Sequence, residues 1–420
     1  MAKRNAFYAQ SGGVTSVINA SAAGVIEACR ANKDKIGTLY AGQNGILGAL
    51  HENLIDTSKE TPTAVASLKH TPGGAFGSCR YKMRDHNEDS SEYERLVEVF
   101  KAHNIGYFFY NGGGDSADTC LKVSQIAERM NYPIQAIHIP KTIDNDLPHT
   151  DCSPGFGSVA KYVAVSTKEA SLDIASMCAS STKIFILEVM GRHAGWIAAS
   201  GGLAAEQAGD PPHIIIFPEI PFSRDQFIAK VDATVKDKGY CVVVASEGAK
   251  YADGALVSGS LHKDAFGHQQ LGGVAQTLAS MVKNSLGHKY HYALADYLQR
   301  SARHIASKTD VDQAYAVGRG AVEKALEGKR GIMVTIERGT GKKFSWSLGE
   351  APLSKIANVE KKMPRAFITK DGFGITAKAR EYFQPLIMGE DYPPYKNGVP
   401  QYANLKNILV EKKLKEGFEG

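Results

Sequence analysis

Pro140-Lys141-Thr142-Ile143-Asp144-Asn145-Asp146 follows directly on the largely apolar run from Ile134 to Ile139, so one lysine and two carboxylates sit within a few residues of its end. A buried strand ending in such a cluster aims its charges into the crevice at the carboxyl edge of a sheet, where open α/β folds bind their ligands. An Asp-x-Asp pair also serves as a turn that caps the next helix. Here the flanking Lys141 and Thr142 favour a reaction centre over a plain turn.

Outward from this stretch the chain alternates strands with helices. Ala6 to Gln10 reads as a short strand, followed by Ser11-Gly12-Gly13 and a helical run from about Val17 to Ala31; Tyr107 to Tyr110 repeats the arrangement ahead of Asn111-Gly112-Gly113-Gly114-Asp115. Strand, glycine turn and helix recurring in this order predict a mostly parallel sheet wound on both faces. Apolar strands at Lys183 to Met190, His213 to Phe217 and Tyr240 to Ser246 predict a second α/β domain. A chain of 420 residues exceeds the usual single core, which also favours two domains. The Pro- and Tyr-rich stretch from Phe383 to Tyr402 reads as an irregular surface segment, and Lys406 to Gly417 as an amphipathic helix with a solvated face.

Composition bounds the function. Hydrophobic residues make up 43% and charged residues 22%, enough apolar material for real cores. No apolar run reaches membrane-spanning length and the opening residues lack a secretory signal, so a cytoplasmic protein without membrane contact is expected. The net charge of +5 is spread along the chain, which suits an anionic small molecule better than nucleic acid, whose partners show a dense basic stripe. Six scattered cysteines without a CxxC pair argue against a zinc ribbon or a disulfide framework and for buried thiols. His193, His268 and the cluster from His288 to His291 lack the spacing of a metal site and read as packing or surface residues. The patch Asp264 to His268 reads as a supporting loop.

Three glycine-rich turns bear on the ligand: Ser11 to Asn19, Thr71 to Arg80 and Asn111 to Ser116. Glycine lets backbone N–H groups approach a phosphate, and a following helix N-terminus adds favourable partial charge. One such turn is weak evidence, because tight turns need glycine regardless of ligand. Three of them, together with Arg80 and Lys141, point to a polyanion. Neither GxxxxGK[ST] nor GxGxxG occurs, so ordinary nucleotide triphosphatases and dinucleotide enzymes fit poorly.

Pro140 to Leu147, PKTIDNDL, closely resembles the catalytic segment of the phosphofructokinases, and Lys141 resembles the pyrophosphate-using branch, since ATP-using members typically carry glycine there. The resemblance runs from the first strand to about residue 330. It implies two Rossmann-like doubly wound domains of phosphofructokinase type with the active site in the interdomain cleft. The donor and magnesium lobe would take 1–155 plus about 298–335, and the sugar lobe 156–297 plus about 336–420. Ser11-Gly12-Gly13 resembles the family's first phosphate turn, and Gly73 to Arg80 its second. Gly113-Gly114-Asp115-Ser116 resembles the third, with the carboxylate moved to a position that is glycine in ATP-using relatives. An aspartate there opposes the α-phosphate of ATP while still reaching a magnesium ion on pyrophosphate. Gly13, Arg80, Gly113 and Ser116 are therefore expected to bind the donor, with Asp115 as metal ligand and donor selector. Lys141 supplies charge for the transition state.

The same resemblance makes Asp144 the base that takes the proton of the sugar 1-hydroxyl, with Thr142 and Asp146 at the sugar end and metal shell. A base so near Lys141 is not expected to need a raised pKa. Met190-Gly191-Arg192 and Glu247 would hold fructose 6-phosphate, with Tyr297, Arg300 and Lys289 at its phosphate; Lys183 would reach that phosphate across a subunit boundary. The implied reaction is reversible phosphoryl transfer from pyrophosphate to fructose 6-phosphate with Mg2+, in a homodimer or homotetramer. Two alternatives stay open: an ATP-dependent sugar kinase, separable by comparing donors, and a silent ligand sensor, which would be expected to lack Asp144.

Overall fold

In the computed structural model residues 3–84, 87–259 and 271–418 are described, and the patch Asp264 to His268 lies outside them. The first sheet is built from β1 (Arg4–Ser11), β2 (Ile36–Gly42), β3 (Leu54–Asp56), β4 (Ser78–Cys79), β5 (Ile105–Gly112) and β6 (Gln135–Pro140). The second holds β7 (Ile184–Val189), β8 (Ile214–Ile216), β9 (Cys241–Ser246) and β10 (Tyr290–Leu294), after which β11 (Ile332–Arg338) and β12 (Trp346–Pro352) return to the first. The order of the first sheet is β12-β11-β6-β5-β1-β2-β3, parallel except for β3 and β12, with β4 alongside the end of β1. The second sheet runs β10-β7-β9-β8, all parallel.

Alternation along β1 shows why the winding is double. Ala6 and Tyr8 face one core together with helix Ile18–Ala31, whereas Phe7 and Ala9 face another with helices Ser91–Ala102 and Gly114–Arg129. Period-2 strands with both faces apolar need helices on both sides. The first core continues into the second lobe through helix Phe156–Met177 and the inner face of β7, so the lobes share apolar packing. The outer face of the second sheet packs on helices Arg224–Lys238 and Val274–Leu286.

Helix Lys308–Leu326 brings the chain home by lying against helix Ile18–Ala31. The two backbones meet at glycines: a Cβ on Gly24 would stand 2.3 Å from the Tyr315 carbonyl oxygen, and one on Gly318 would stand 2.1 Å from that of Ser21. A boundary at about 335 falls inside β11, and β12, at 346–352, pairs with β11 in the first sheet rather than joining the second lobe. The expected helix at Lys406 to Gly417 does not form. The tail runs extended along β3, with Asp56 N–H donating to Ile408 O and Val410 N–H to Leu54 O. The buried Glu52 carboxylate then accepts from the backbone N–H groups of Lys413 and Leu414. Partners for the backbone along an open sheet edge outweigh a helical pattern that would bury only one face.

All six cysteines are free: Cys29, Cys120, Cys152 and Cys241 are buried, Cys79 and Cys178 partly so. No helix among the described residues is long and apolar enough to cross a membrane.

Candidate active site

A cleft of about 1340 Å3 opens where the carboxyl edges of the two sheets face each other. In the first sheet the chain leaves β1 for β2 on one side and reaches β5 on the other, so this edge is a topological switch point. Beyond the reach of β2, Gln10 and Ser11 pair with Ser78 and Cys79, which sets Arg80 alongside the Gly12-Gly13 turn. Arg80, Lys141 and Arg300 converge there. A Cβ on Gly13 would lie 2.7 Å from an Arg300 guanidinium nitrogen and 3.2 Å from one of Arg80. Lys141 Nζ donates to Gly13 O at 2.6 Å. Burial and then the charges of Arg300 and Arg80 push the Lys141 ammonium down to about 8, against the pull of Asp144 and Asp146. Cations crowded until one of them loses affinity for its proton form a cradle for a polyanion.

The third turn completes the cradle. Gly113 precedes helix Gly114–Arg129, with no side-chain cap on its N-terminus and Asp115 exposed in its first turn. Ser116, expected at the donor, lines the cleft and donates its buried hydroxyl to Ser11 Oγ at 2.8 Å, and so ties the first and third turns together. The second turn is held by Asn19, a fully buried amide on helix Ile18–Ala31. Its Nδ2 donates to Thr71 O and Gly73 O, both at 2.8 Å, and its Oδ1 accepts from Ala75 N–H at 3.0 Å. Sequence reading missed Asn19, although an amide on the buried side of an apolar helix was the available signal.

Thr142 to Asp146 forms the floor. Thr142 Oγ1 accepts from Asp144 N–H at 3.0 Å, and Asn145 is left-handed at φ 53° with its amide turned inward. Asn145 Oδ1 accepts from Ser153 N–H and Lys361 Nζ, while Nδ2 donates to the Tyr382 hydroxyl. Asp144 is raised to about 7, chiefly by desolvation and then by Asp146 and Glu247, with Lys141 and Arg192 opposing. The expectation that Lys141 would keep this pKa ordinary is therefore corrected: exclusion from water and two further carboxylates outweigh Lys141 and Arg192. Asp146 is also raised, by desolvation first.

Residues of the second lobe face this floor. Met190-Gly191-Arg192 leaves β7 and Glu247 leaves β9, neighbouring parallel strands. Gly191 holds φ 129°, and a Cβ on Gly248 would stand 2.1 Å from Arg192 O, so only glycines let the two turns touch. Ser246 Oγ donates to Gly191 O at 2.7 Å. Burial raises Glu247 to about 7, and a bond from Gly191 and the charge of Arg192 restrain the rise. Met190 N–H donates to Gln299 Oε1 at 3.2 Å, fixing helix Asp296–Ser301 against the strand end.

Arg300, expected at the sugar phosphate, reaches the Gly13 turn with its guanidinium carbon 3.7 Å from the centre of the Tyr297 ring. Lys183 and Lys289 do not line the cleft. They precede β7 and β10 and so stand on the amino edge of the second sheet, roughly 20 Å from Met190 at about 3.3 Å per residue. There Lys183 Nζ donates to Cys178 O and Lys289 Nζ to Ser181 Oγ. The cleft also takes in Lys82, Asp118, Lys122, Gln299 and Asn358, none of which the sequence singled out for a contact. Among the described residues no group of three or more His, Cys, Asp or Glu side chains is placed to hold a metal ion.

Comparison with known proteins matches this geometry. The Phosphofructokinase family model matches residues 5–324. The chain is 65% identical over 416 residues to a pyrophosphate–fructose 6-phosphate 1-phosphotransferase of Halomonas elongata, covering 99% of each chain. It is similar to the crystal structures of the pyrophosphate-dependent phosphofructokinases of Marinobacter aquaeolei and Nitrosospira multiformis. The first has a TM-score of 0.91 at 64% identity, covering 99% of this chain and 100% of that one. The second has a TM-score of 0.92 at 63% identity, covering 100% of both. With three glycine turns, a cationic cradle and a carboxylate floor all set at the sheet edges, the chain belongs to the phosphofructokinase family.

Proposed function

We propose that the chain transfers a phosphoryl group reversibly between pyrophosphate and the 1-hydroxyl of fructose 6-phosphate, as the names of its relatives suggest. The observation that carries this reading is the convergence of Arg80, Lys141 and Arg300 on the Gly13 turn, opposite carboxylates suited to a sugar hydroxyl. Such transfer needs little covalent help from the protein; it needs alignment and neutralised charge. Asp144 accepts the proton of the 1-hydroxyl as its oxygen bonds to the nearer phosphorus. The bridging P–O bond breaks, and orthophosphate leaves into the cradle. Because burial raises Asp144, the carboxyl also serves as the acid of the reverse reaction near neutrality.

Arg80 and Lys141 balance charge on the transferred group, and Arg300 closes the cradle from the sugar side. Arg192 and Glu247 orient the sugar, with Met190, Gly191, Thr142 and Asp146 completing its seat. Lys183 lies outside this chain's own cleft, and the role proposed for it, reaching the sugar phosphate across a subunit boundary, belongs with a proposed homodimer or homotetramer. Enzymes of this family generally use Mg2+, and the residues here suit it. Mg2+ is usually held by one or two carboxylates plus substrate phosphates, and Asp115 stands exposed beside the donor turns. When bound, the ion offsets negative charge on the donor oxygens. The setting proposed is cytoplasmic, with no nucleic-acid or membrane partner.

The test is direct. Purified protein with pyrophosphate, fructose 6-phosphate and Mg2+ should yield fructose 1,6-bisphosphate and orthophosphate, followed by phosphorus NMR, and the bisphosphate with orthophosphate should return pyrophosphate. Absence of both conversions would refute the reading.

A further inference from the structure

The segment that follows β12 crosses from one lobe to the other beside the reacting turn. Asn358 Nδ2 donates to Asp118 Oδ1 at 3.2 Å, on the helix that opens at the third glycine turn. Two residues on, Glu360 Oε1 meets His193 Nδ1 at 2.7 Å, on the residue directly after Arg192 in the sugar lobe. Between these attachments and the second lobe's Trp196 lies Lys361. Its backbone N–H donates to Asp146 O at 2.6 Å, and its carbonyl accepts from Trp196 Nε1 at 3.2 Å. Its ammonium donates to Asn145 Oδ1 at 3.3 Å, Thr150 O at 3.1 Å and Asp151 O at 2.9 Å.

These contacts single out the reacting turn. An ammonium has three donors and no acceptor, and all three here go to the turn's own amide and to the loop behind it. Asn145 carries the chain through a left-handed conformation between Asp144 and Asp146, so whatever holds its side chain sets the direction in which the two carboxylates leave the backbone. Ser153, Tyr382 and Lys361 hold it, and of these Lys361 alone also bonds the backbone of Asp146.

We propose that Lys361 is a positioning residue of the phosphoryl transfer, locking the turn from Thr142 to Asp146 in register with both lobes without touching either substrate. The inference rests on the function proposed above. Its consequence is a loss that falls mainly on the chemical step, because alignment of a base to within about 1 Å is worth on the order of 100-fold in rate, whereas the cradle and the main sugar contacts, Arg192 and Glu247, are built from other segments.

The experiment compares steady-state kinetics of the wild type with Lys361→Met in both directions. Expected is a kcat at least about 30-fold lower in each direction, with the KM values for pyrophosphate and fructose 6-phosphate within about threefold of the wild type. A kcat within threefold of the wild type, or a raised KM with kcat retained, overturns the inference. Should Lys361→Met fail to fold, Lys361→Arg keeps a charge and a donor. There a kcat lowered at least threefold at unchanged KM supports the lock, and an unchanged kcat overturns it. Wild-type protein inert toward pyrophosphate would instead overturn the functional reading, so the two failures are distinguishable.

Discussion

Replacing Asp144 by Asn should abolish turnover and at the same time stabilise the protein, by an amount that the site's electrostatics set. The carboxyl is raised from 3.8 to about 7, with desolvation first among the causes, then Asp146 and Glu247. Since one pKa unit corresponds to about 1.4 kcal/mol, the ionised group costs the folded state at most roughly 4 kcal/mol. The Asn amide must still find hydrogen-bond partners, which leaves an expected gain of ~2 kcal/mol. The sign follows from linkage: a carboxylate whose folded pKa lies above its unfolded one is favourably protonated at low pH, and its contribution is lost as pH rises from about 4 to 7. The variant's advantage should therefore be full above pH 7 and shrink as pH is lowered toward 5. Thermal melts of both proteins across pH 5 to 8 provide the assay, with a gain of about 2 °C expected at pH 8. A variant no more stable than the wild type at pH 8, or one whose gain does not depend on pH, would refute the view that the resting site carries a costly ionised base.

Other expectations follow from the same geometry. Forward kcat/KM should fall about tenfold per pH unit below about 7, as Asp144 takes up its proton, and decline again above about 8 as Lys141 loses its own; a flat profile between pH 5.5 and 7 would remove Asp144 as base. Asp115→Gly combined with Lys141→Gly should raise the ratio of ATP to pyrophosphate use by at least tenfold, read from initial rates at equal magnesium, and an unchanged ratio would count against donor selection by these two residues. Gly318→Ala places a methyl 2.1 Å from the Ser21 carbonyl oxygen and should lower stability by about 1–3 kcal/mol in urea unfolding with kcat unaltered; an unchanged midpoint would mean that the helices part without cost.

How far the chain can be read without coordinates depends on the range of each interaction. The central parallel strands announce themselves because both faces are buried, as in Phe108 to Tyr110 or Val242 to Ala245. β10 does not, since it is an edge strand whose His291, Tyr292 and Leu294 are exposed, and β12 is mostly half-buried, with Ala351 its one buried residue. The motifs at strand ends were legible because parallel sheets gather such ends on one edge. The same rule places Lys183 and Lys289 on the opposite edge, because each precedes its strand. Asn145 and Lys361, 216 residues apart, carry no local pattern that links them. Nor does any pattern show that the guanidinium of Arg300 reaches Gly13. The raised pKa of Asp144 was illegible for a related reason: Lys141 and Asp146 are its neighbours in sequence, but the burial that dominates the shift, and the charge of Glu247, come only with the fold.

Donor competition is the most direct measurement of the central claim, that Asp115, Lys141 and the cationic cradle accept a bare diphosphate and exclude a nucleotide. With fructose 6-phosphate and Mg2+ fixed, kcat/KM for pyrophosphate should exceed that for ATP by at least about 100-fold, equivalent to roughly 3 kcal/mol of discrimination. Equal use of the two donors, or a preference for ATP, would contradict it.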